Sequence, residues 1–525
     1  MTELNSLACR IGLAALGLLG LCETSLAQRP DARTAVVAYG SDASTLDPQQ
    51  INSRDTQNIA DHVWMSLYEI DDDGKLVPYF AESFSESPDG KQLTFKIRAG
   101  MKCHDGSPMS AEDVAYTFKR ARDPANKLVG STPGFVLTSL GYKNASAPDP
   151  TTAVIEIDQY NPIALGLISE VKILCKAAYE RMTIDQAGQK PVGTGPYRFA
   201  EWIKSDRIVI EKVPDFPLRK ASFDRIVWRV VPEASTRAAE LMARNVDIIT
   251  NVAPDQIDTI NRSGGAKVQS VAGTRRMYVG FNFKPVFNTP GGLAVRKAEV
   301  RRALQYAIDV PTICEQLLRA PCKRATGLVN PPNDNPDLKP YPYDPAMAEK
   351  LLDAAGYPRK ADGVRFDMKL QGPNGRYLND KNVMLAIGQY LTDIGVKTDV
   401  EILDWASVYL PLTRAKKEAG PMFFLGTGGG TWSALYDMAD LSAPDAITNP
   451  MNWDDPKWFS RWAELNRKQP ESEQRRVVNE MLKVFYDESP WLLLYFQPDF
   501  YGVSDRLNWR ARRDERINLV SATAK

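Results

Sequence analysis

Histidine is nearly missing from this chain, with only His62 and His104 among 525 residues. Neither lies in an HExxH or similar ligand spacing, which argues against a histidine-based zinc centre. Cysteine is scarce too, six in all, and no CxxC pair occurs, so a zinc ribbon or finger lacks its ligands. There is no GxSxG elbow, no GxxxxGK[ST] loop and no GxGxxG after a strand. Those absences remove the usual signatures of serine hydrolases and nucleotide binders. Net charge is absent as well: 65 Lys and Arg balance 65 Asp and Glu. A nucleic-acid partner would favour a basic face. Beyond the N-terminus no apolar run approaches the roughly 20 residues needed to cross a bilayer.

What is present is the composition of a soluble globular protein, 43% apolar and 25% charged. The length suits two or three domains with ample buried core. At the N-terminus Arg10 precedes the apolar run Ile11–Cys22, and Ser25 and Ala27 stand as small residues before Gln28. That run is about 12 residues, too short to span a membrane and suited to a secretory signal peptide over residues 1–27. Cleavage after Ala27 is expected. Cys22 would permit lipidation instead, but bulky Leu21 stands where that cleavage wants a small residue. Four cysteines then remain in an oxidising compartment. Cys314 and Cys322 can close a small loop; Cys103 and Cys175 read as buried thiols or a second bridge rather than metal ligands.

Strand and helix signals mix along the whole chain, without repeats or low-complexity tracts. "LTFKIRAG" alternates Leu93, Phe95 and Ile97 with polar residues, a half-buried strand after the turn "SPDGK". "DRIVWRVVP" is a second strand, followed by the helix "EASTRAAELMARN" and another apolar strand. Helices follow in "EVRRALQYAIDVPTICEQLL", in "DPAMAEKLLDAAGY" ended by Gly356, and in "KNVMLAIGQYLTDIG", whose Gly395 leads into a strand. "VNPPNDNPDLKPYPYDP" reads as a long surface excursion. The aromatic segment "WLLLYFQPDFYGVSD" must be buried, so the C-terminus returns to pack on the body.

Three stretches could carry chemistry. "HDGSPMSAED" joins His104 and Asp105 next to Cys103. Adjacent residues rarely orient each other as a base and its partner, and no nucleophile signature lies near. Ser110 and Asp113 instead form an acidic capping box, with Ala111, Val114, Ala115 and Phe118 as the buried helix face, so the stretch reads as scaffold. "PVGTGPYRF" lacks the lysine of a nucleotide loop and reads as a tight crossing of two elements. "GTGGGTWS" offers three consecutive glycines beside Trp432, either a plain loop or one lining a ligand.

In their order these segments resemble the large solute-binding proteins of ABC importers, family 5, which serve dipeptides, oligopeptides and nickel. The resemblance rests on "STLDPQ", the block from "MSLYEIDDDG" to "EDVAYTFKR", "PVGTGPYRFAEW", "STRAAELMARNVDII", "YVGFNF", "VRRALQYAIDVPTI" and "YDPAMAEKLLDAAGY". One departure is Cys103, where the family usually carries phenylalanine. The resemblance implies an α/β, two-lobed periplasmic binding protein fold with hinge strands and an extra subdomain in the N-terminal lobe. Lobe I would hold 28–275 with 491–525 returning to it, and lobe II 276–490. It further implies a periplasmic monomer that is no enzyme, needs no cofactor or metal, and hands a small-molecule ligand to ABC permease subunits. The ligand would be a peptide, an opine-like conjugate or a similar small polar solute.

By family position Arg376 in "GPNGRYLND" would pair with a ligand carboxylate. Trp405 would line the pocket, and Trp432 joins it from the glycine loop. Where dipeptide binders place an aspartate for the peptide amino group, this chain has glycines, and the nearest acid is Asp437. Two other readings stay open: a sensory or chaperone-like binder on the same scaffold, and a secreted hydrolase.

Overall fold

The aromatic C-terminal segment pairs with strands far back along the chain. In the computed structural model, which describes residues 31–331, 333–428 and 433–525, Trp491–Ser504 is a single strand running antiparallel to Ala266–Phe281. Both belong to a ten-stranded sheet. Its strands, in chain order, are β1 (Thr34–Tyr39), β2 (Tyr197–Ile203), β3 (Arg207–Lys212), β4 (Arg225–Val230), β5 (Ile248–Ile249), β6 (Ala266–Phe281), β7 (Phe366–Pro373), β8 (Val396–Leu403), β9 (Met422–Gly428) and β10 (Trp491–Ser504). Across the sheet they lie in the order β8-β7-β9-β6-β10-β5-β1-β4-β3-β2. The two central strands therefore join two half-sheets. On one side β1 pairs parallel with both β4 and β5; on the other β7 pairs parallel with β8 through the helix Asp380–Asp393. Parallel neighbours require such crossovers, which bring helices onto the sheet faces. The result is a two-lobed α/β fold.

Burial explains why β10 cannot be a loose tail. Trp491, Leu492, Leu493, Leu494 and Tyr495 are all 2% exposed or less. Each such leucine contributes roughly 1.5–3 kcal/mol by leaving water. Trp491 also stacks on Tyr278 of β6, with ring centroids 3.7 Å apart. The β6–β10 register shifts between Ala272 and Arg276 and again between Arg276 and Tyr278. The two strands are irregular where they pass from one half-sheet to the other.

The first lobe carries an additional four-stranded sheet, ordered Ala81–Glu86, Gln92–Ile97, Thr152–Ile157, Tyr142–Asp149. Helix Ala111–Arg122 packs on it through Ala111, Val114, Ala115 and Phe118, all buried. Its capping box is formed as read from the sequence. The Ser110 amide donates to Asp113 Oδ2 at 2.7 Å, and the Glu112 amide donates to Ser110 Oγ at 3.2 Å. Cysteines pair as Cys103–Cys175 and Cys314–Cys322.

After β10 the chain packs back against residues of the N-terminal part of the protein. The Leu519 amide donates to His62 Nε2 at 3.0 Å, and Arg516 pairs with Asp61 at 3.0 Å and Glu170 at 2.5 Å. The proline-rich 330–345 stretch is less superficial than its composition suggests. Asn330, Asn335 and Tyr341 are buried, and Asn330 is tied to Asp437. Among the described residues no helix is long and apolar enough to cross a membrane. The expected signal peptide, residues 1–27, lies outside the described residues.

Candidate functional site

Asp380 shows how local sequence builds one wall of the interlobe cleft. Its buried carboxylate accepts from the amides of Gly375, Arg376 and Tyr377 at 2.9, 2.9 and 3.0 Å, and from that of Lys381 at 2.9 Å. Burial pushes its pKa up, and these four amides oppose that. Gly375, at φ 78°, supplies the left-handed turn that lets consecutive amides converge on one carboxylate. The backbone of Arg376 is fixed by this cradle, and Leu378 is anchored through its amide to Gln497 of β10 at 3.0 Å.

The Arg376 guanidinium then lies between two aromatic rings, 5.2 Å from the centroid of Tyr377 and 5.3 Å from that of Trp405. Trp405 meets Tyr377 edge to face at 6.0 Å. Such contacts hold a cation in place without neutralising it. Arg376, Tyr377 and Trp405 line a cavity of about 290 Å³ between the lobes. That volume is at the small end of ligand pockets, which run from about 300 Å³ upward.

The central strands form the floor. Arg275 pairs with Glu515 at 2.5 Å, joining β6 to the returning C-terminal segment. Arg276, 1% exposed, approaches Asp437 to 2.7 Å. That pair is close but not aligned as a hydrogen bond, since Arg276 Nη1 and Asp437 Oδ1 have no directional partner. Asp437 Oδ2 accepts from the amide and the side chain of Asn330 at 2.9 and 3.0 Å. Burial raises its pKa, opposed by Arg276 and Asn330. Asp440, 3.9 Å from Arg276, accepts from the Thr427 hydroxyl. On the first-lobe side Asp61 pairs with Lys172 at 2.5 Å, and Arg512 holds Asp514 at 2.6 Å. Each carboxylate lining this cavity thus has a resident cation.

A cleft between two lobes, lined from both and crossed by two long strands, is a site for enclosing a small solute. The family model for bacterial extracellular solute-binding proteins, family 5 (middle region), matches residues 75–449. The chain belongs to this family. This family 5 solute-binding protein is 29% identical over 504 residues to the glutathione-binding protein GsiB of Escherichia coli K12, covering 92% of this chain and 93% of that one. Its fold matches the periplasmic binding protein DppA of Helicobacter pylori, solved with the peptide STSA, at TM-score 0.84 and 22% identity over 94% and 98% of the two chains. It also matches AgaA from A. tumefacien R10, solved with agropinic acid, at TM-score 0.81 and 22% identity over 94% and 99%.

The structure of this solute-binding protein places Arg376 and Trp405 side by side at the cavity. Trp432 lies outside the described residues. Asp437 is at the cleft but already engaged by Arg276 and Asn330. His104 is elsewhere: its Nε2–H donates to the Gly195 carbonyl at 2.9 Å, and burial lowers its pKa to about 4. Cys103, Asp105 and Cys175 bring metal-ligand atoms within reach of one another, but the two sulfurs are joined in a disulfide. Gly193 and Gly195 make the close crossing read from "PVGTGPYRF"; a Cβ at Gly193 would lie 2.2 Å from the Val63 carbonyl oxygen.

Sequence reasoning missed Arg54, Arg275, Arg276, Tyr377 and Arg414. Arg54 carried a faint signal. It opens the helix Arg54–Val63 directly after the Ser53 cap, where the helix dipole disfavours a cation.

Proposed function

We propose that this protein is the periplasmic solute-binding component of an ABC importer. It captures a peptide or peptide-like solute in the interlobe cleft and presents it to the membrane permease as a monomer; it binds its ligand and carries out no reaction on it. The observation that carries this reading is the Arg376 guanidinium, held between Tyr377 and Trp405 at the cavity with no ion-pair partner among the described residues. A ligand carboxylate is the natural complement of a positioned, unpaired guanidinium. Trp405, and Trp432 by its place in the sequence, would supply apolar walls. The names of the relatives agree in kind, since GsiB is a glutathione-binding protein and the DppA structure holds a peptide.

Lobe I as 28–275 with 491–525, and lobe II as 276–490, is the division we infer. Register shifts in β6 beside residue 275 support it. Ligand contacts to both lobes would favour a closed arrangement, with the irregular strands absorbing the motion.

Native mass spectrometry of the protein purified from its own periplasm would identify the bound solute. Calorimetry with that solute should then give one site per chain and weaker binding by Arg376→Ala. A co-purified solute lacking any acidic group would overturn the reading, as would equal affinity of the variant.

A further inference from the structure

Charge accounting at the cleft goes further than one anchor. Six cations line the cavity: Arg54, Lys172, Arg275, Arg276, Arg376 and Arg414. Lys172, Arg275 and Arg276 are spent on Asp61, Glu515 and Asp437. The other three have no carboxylate within ion-pair distance among the described residues. Arg414 reaches only the carbonyl of Ile447, at 3.4 Å. Arg54 Nη1 is buried and has no hydrogen-bond partner among the described residues.

These three guanidinium groups come from opposite walls. Arg54 belongs to the first-lobe helix, whereas Arg376 and Arg414 belong to the second lobe. Their fields overlap at the floor. Burial pushes the Glu515 carboxyl up, yet Arg275, Arg376 and Arg54 together hold it below the usual range. The three side chains are part-buried rather than fully enclosed, but a cavity lined by three cations without an ion pair, whose carboxylates are all already paired, favours an anion. The cavity volume, about 290 Å³, limits that anion to a molecule of small-peptide size.

We propose that the ligand is a small poly-acid. It would carry at least two carboxylates or equivalent acidic groups, one seated on Arg376 in the second lobe and another on Arg54 in the first. Arg414 would add to the second-lobe field. The ligand itself then bridges the walls electrostatically, and among the described residues every carboxylate lining the cavity already has a cation beside it. The peptide-like size class rests on the function proposed above; the charge requirement does not.

The test uses probes matched in shape. Glu-Glu carries three carboxylates and Gln-Gln only its C-terminal one, and glutathione adds a probe with two. Calorimetry on the wild type should show Glu-Glu bound at least about 30-fold more tightly than Gln-Gln, since each tenfold is 1.4 kcal/mol. Arg54→Gln should collapse most of that ratio, and Arg54→Lys should restore part of it, which separates charge from damage to the helix. Equal affinity for the two peptides, or an unchanged ratio in Arg54→Gln, would overturn this inference and leave the proposed function standing. If no probe binds, the co-purified solute decides. A non-peptide poly-acid would retain the charge inference while removing the peptide reading, and a solute with fewer than two acidic groups would refute the charge inference.

Discussion

The turn at His104 and the wall at Arg376 are both polar, both precisely held by carboxylate-to-amide bonds, and opposite in what they leave over. In the turn, Asp105 Oδ1 accepts from the Ser107 amide and hydroxyl at 3.0 and 2.5 Å, and His104 donates its N–H to Gly195. Only His104 Nδ1 goes unmet. In the wall, Asp380 fixes the backbone just as firmly, but the side chain it positions is a charged guanidinium without a counter-ion. The difference teaches where to look for function. A polar cluster that satisfies itself is structure, and a preorganised charge whose partner is missing awaits a ligand.

The sharpest way to separate the two regions is to damage the scaffold outright. Cys103–Cys175 closes a separation of 72 residues beside the His104 turn, and Cys314–Cys322 one of 8. Loop-closure entropy puts the first at about 4 kcal/mol and the second at about 2.5 kcal/mol. Denaturant unfolding of Cys103→Ala/Cys175→Ala and Cys314→Ala/Cys322→Ala should show losses in that order. Ligand affinity should survive both wherever the protein remains folded. A ligand Kd that rose tenfold with the first bridge gone would tie the turn to the cleft and erase the contrast.

Arg376→Ala probes the other side. Removing one partner of a charged contact that the ligand encloses costs roughly 2–5 kcal/mol, so binding of the co-purified solute should weaken about 30-fold or more. The melting temperature of the free protein should hardly move, because Arg376 has no internal salt bridge to lose. A large drop in melting temperature with unchanged affinity would reverse the assignment. Asp380→Asn should act more mildly through the same residue. It removes the charge that four amides converge on, and about a tenfold loss of affinity is expected, with Arg376→Ala/Asp380→Asn little worse than Arg376→Ala alone.

Much of the scaffold was legible in the sequence because its signals are local. The Ser110–Asp113 cap, the strand around Phe95, the helices ended by Gly356 and Gly395 and the buried β10 each depend on neighbours a few residues away. The cleft was legible only in part. Arg376 and Trp405 were reachable through resemblance, whereas the status of a charge depends on partners far along the chain. Arg275 is neutralised by Glu515, and Asp61 by Lys172 and Arg516. No spacing rule reveals such pairs, so Arg54 and Arg414 could not be told from their spent neighbours.

Acid should affect the scaffold through the two histidines, by a smaller amount, and through them leave the Arg376 wall untouched. His62 is fully enclosed, donating to the Asn58 carbonyl at 2.7 Å and accepting from the Leu519 amide, and burial lowers its pKa. His104 is lowered to about 4, again chiefly by burial. Both are neutral when folded and bind a proton more readily unfolded, where their pKa is near 6.5. Stability is therefore complete above about pH 6.5 and falls as pH drops toward 4. At pH 5.5 the His104 shift to about 4 should account for about 1.4 kcal/mol, with His62 adding in the same direction, a loss measurable in the denaturant midpoint that His104→Gln reduces. A midpoint independent of pH over that window would count against these burial-driven shifts.

The smallest expected effect is the most direct check on the contrast. His104→Ala removes one hydrogen bond to Gly195 and a ring that Gly193 packs against, with His104 Cε1 lying 2.7 Å from where a Gly193 Cβ would be. That should cost about 1 kcal/mol of stability, comparable to Gly106→Ala, where φ of 85° penalises any side chain, and to Asp105→Ala, which frees two donors. None of these residues lines the cleft. At pH 7 the histidine is neutral, so its loss changes no charge that the ligand could feel. Calorimetry with the co-purified solute should return a Kd within about twofold of wild type, a difference near 0.4 kcal/mol. If binding vanished while the melting temperature held, His104 would belong to the binding site, and the rule that self-satisfied polar clusters are scaffold would fail here.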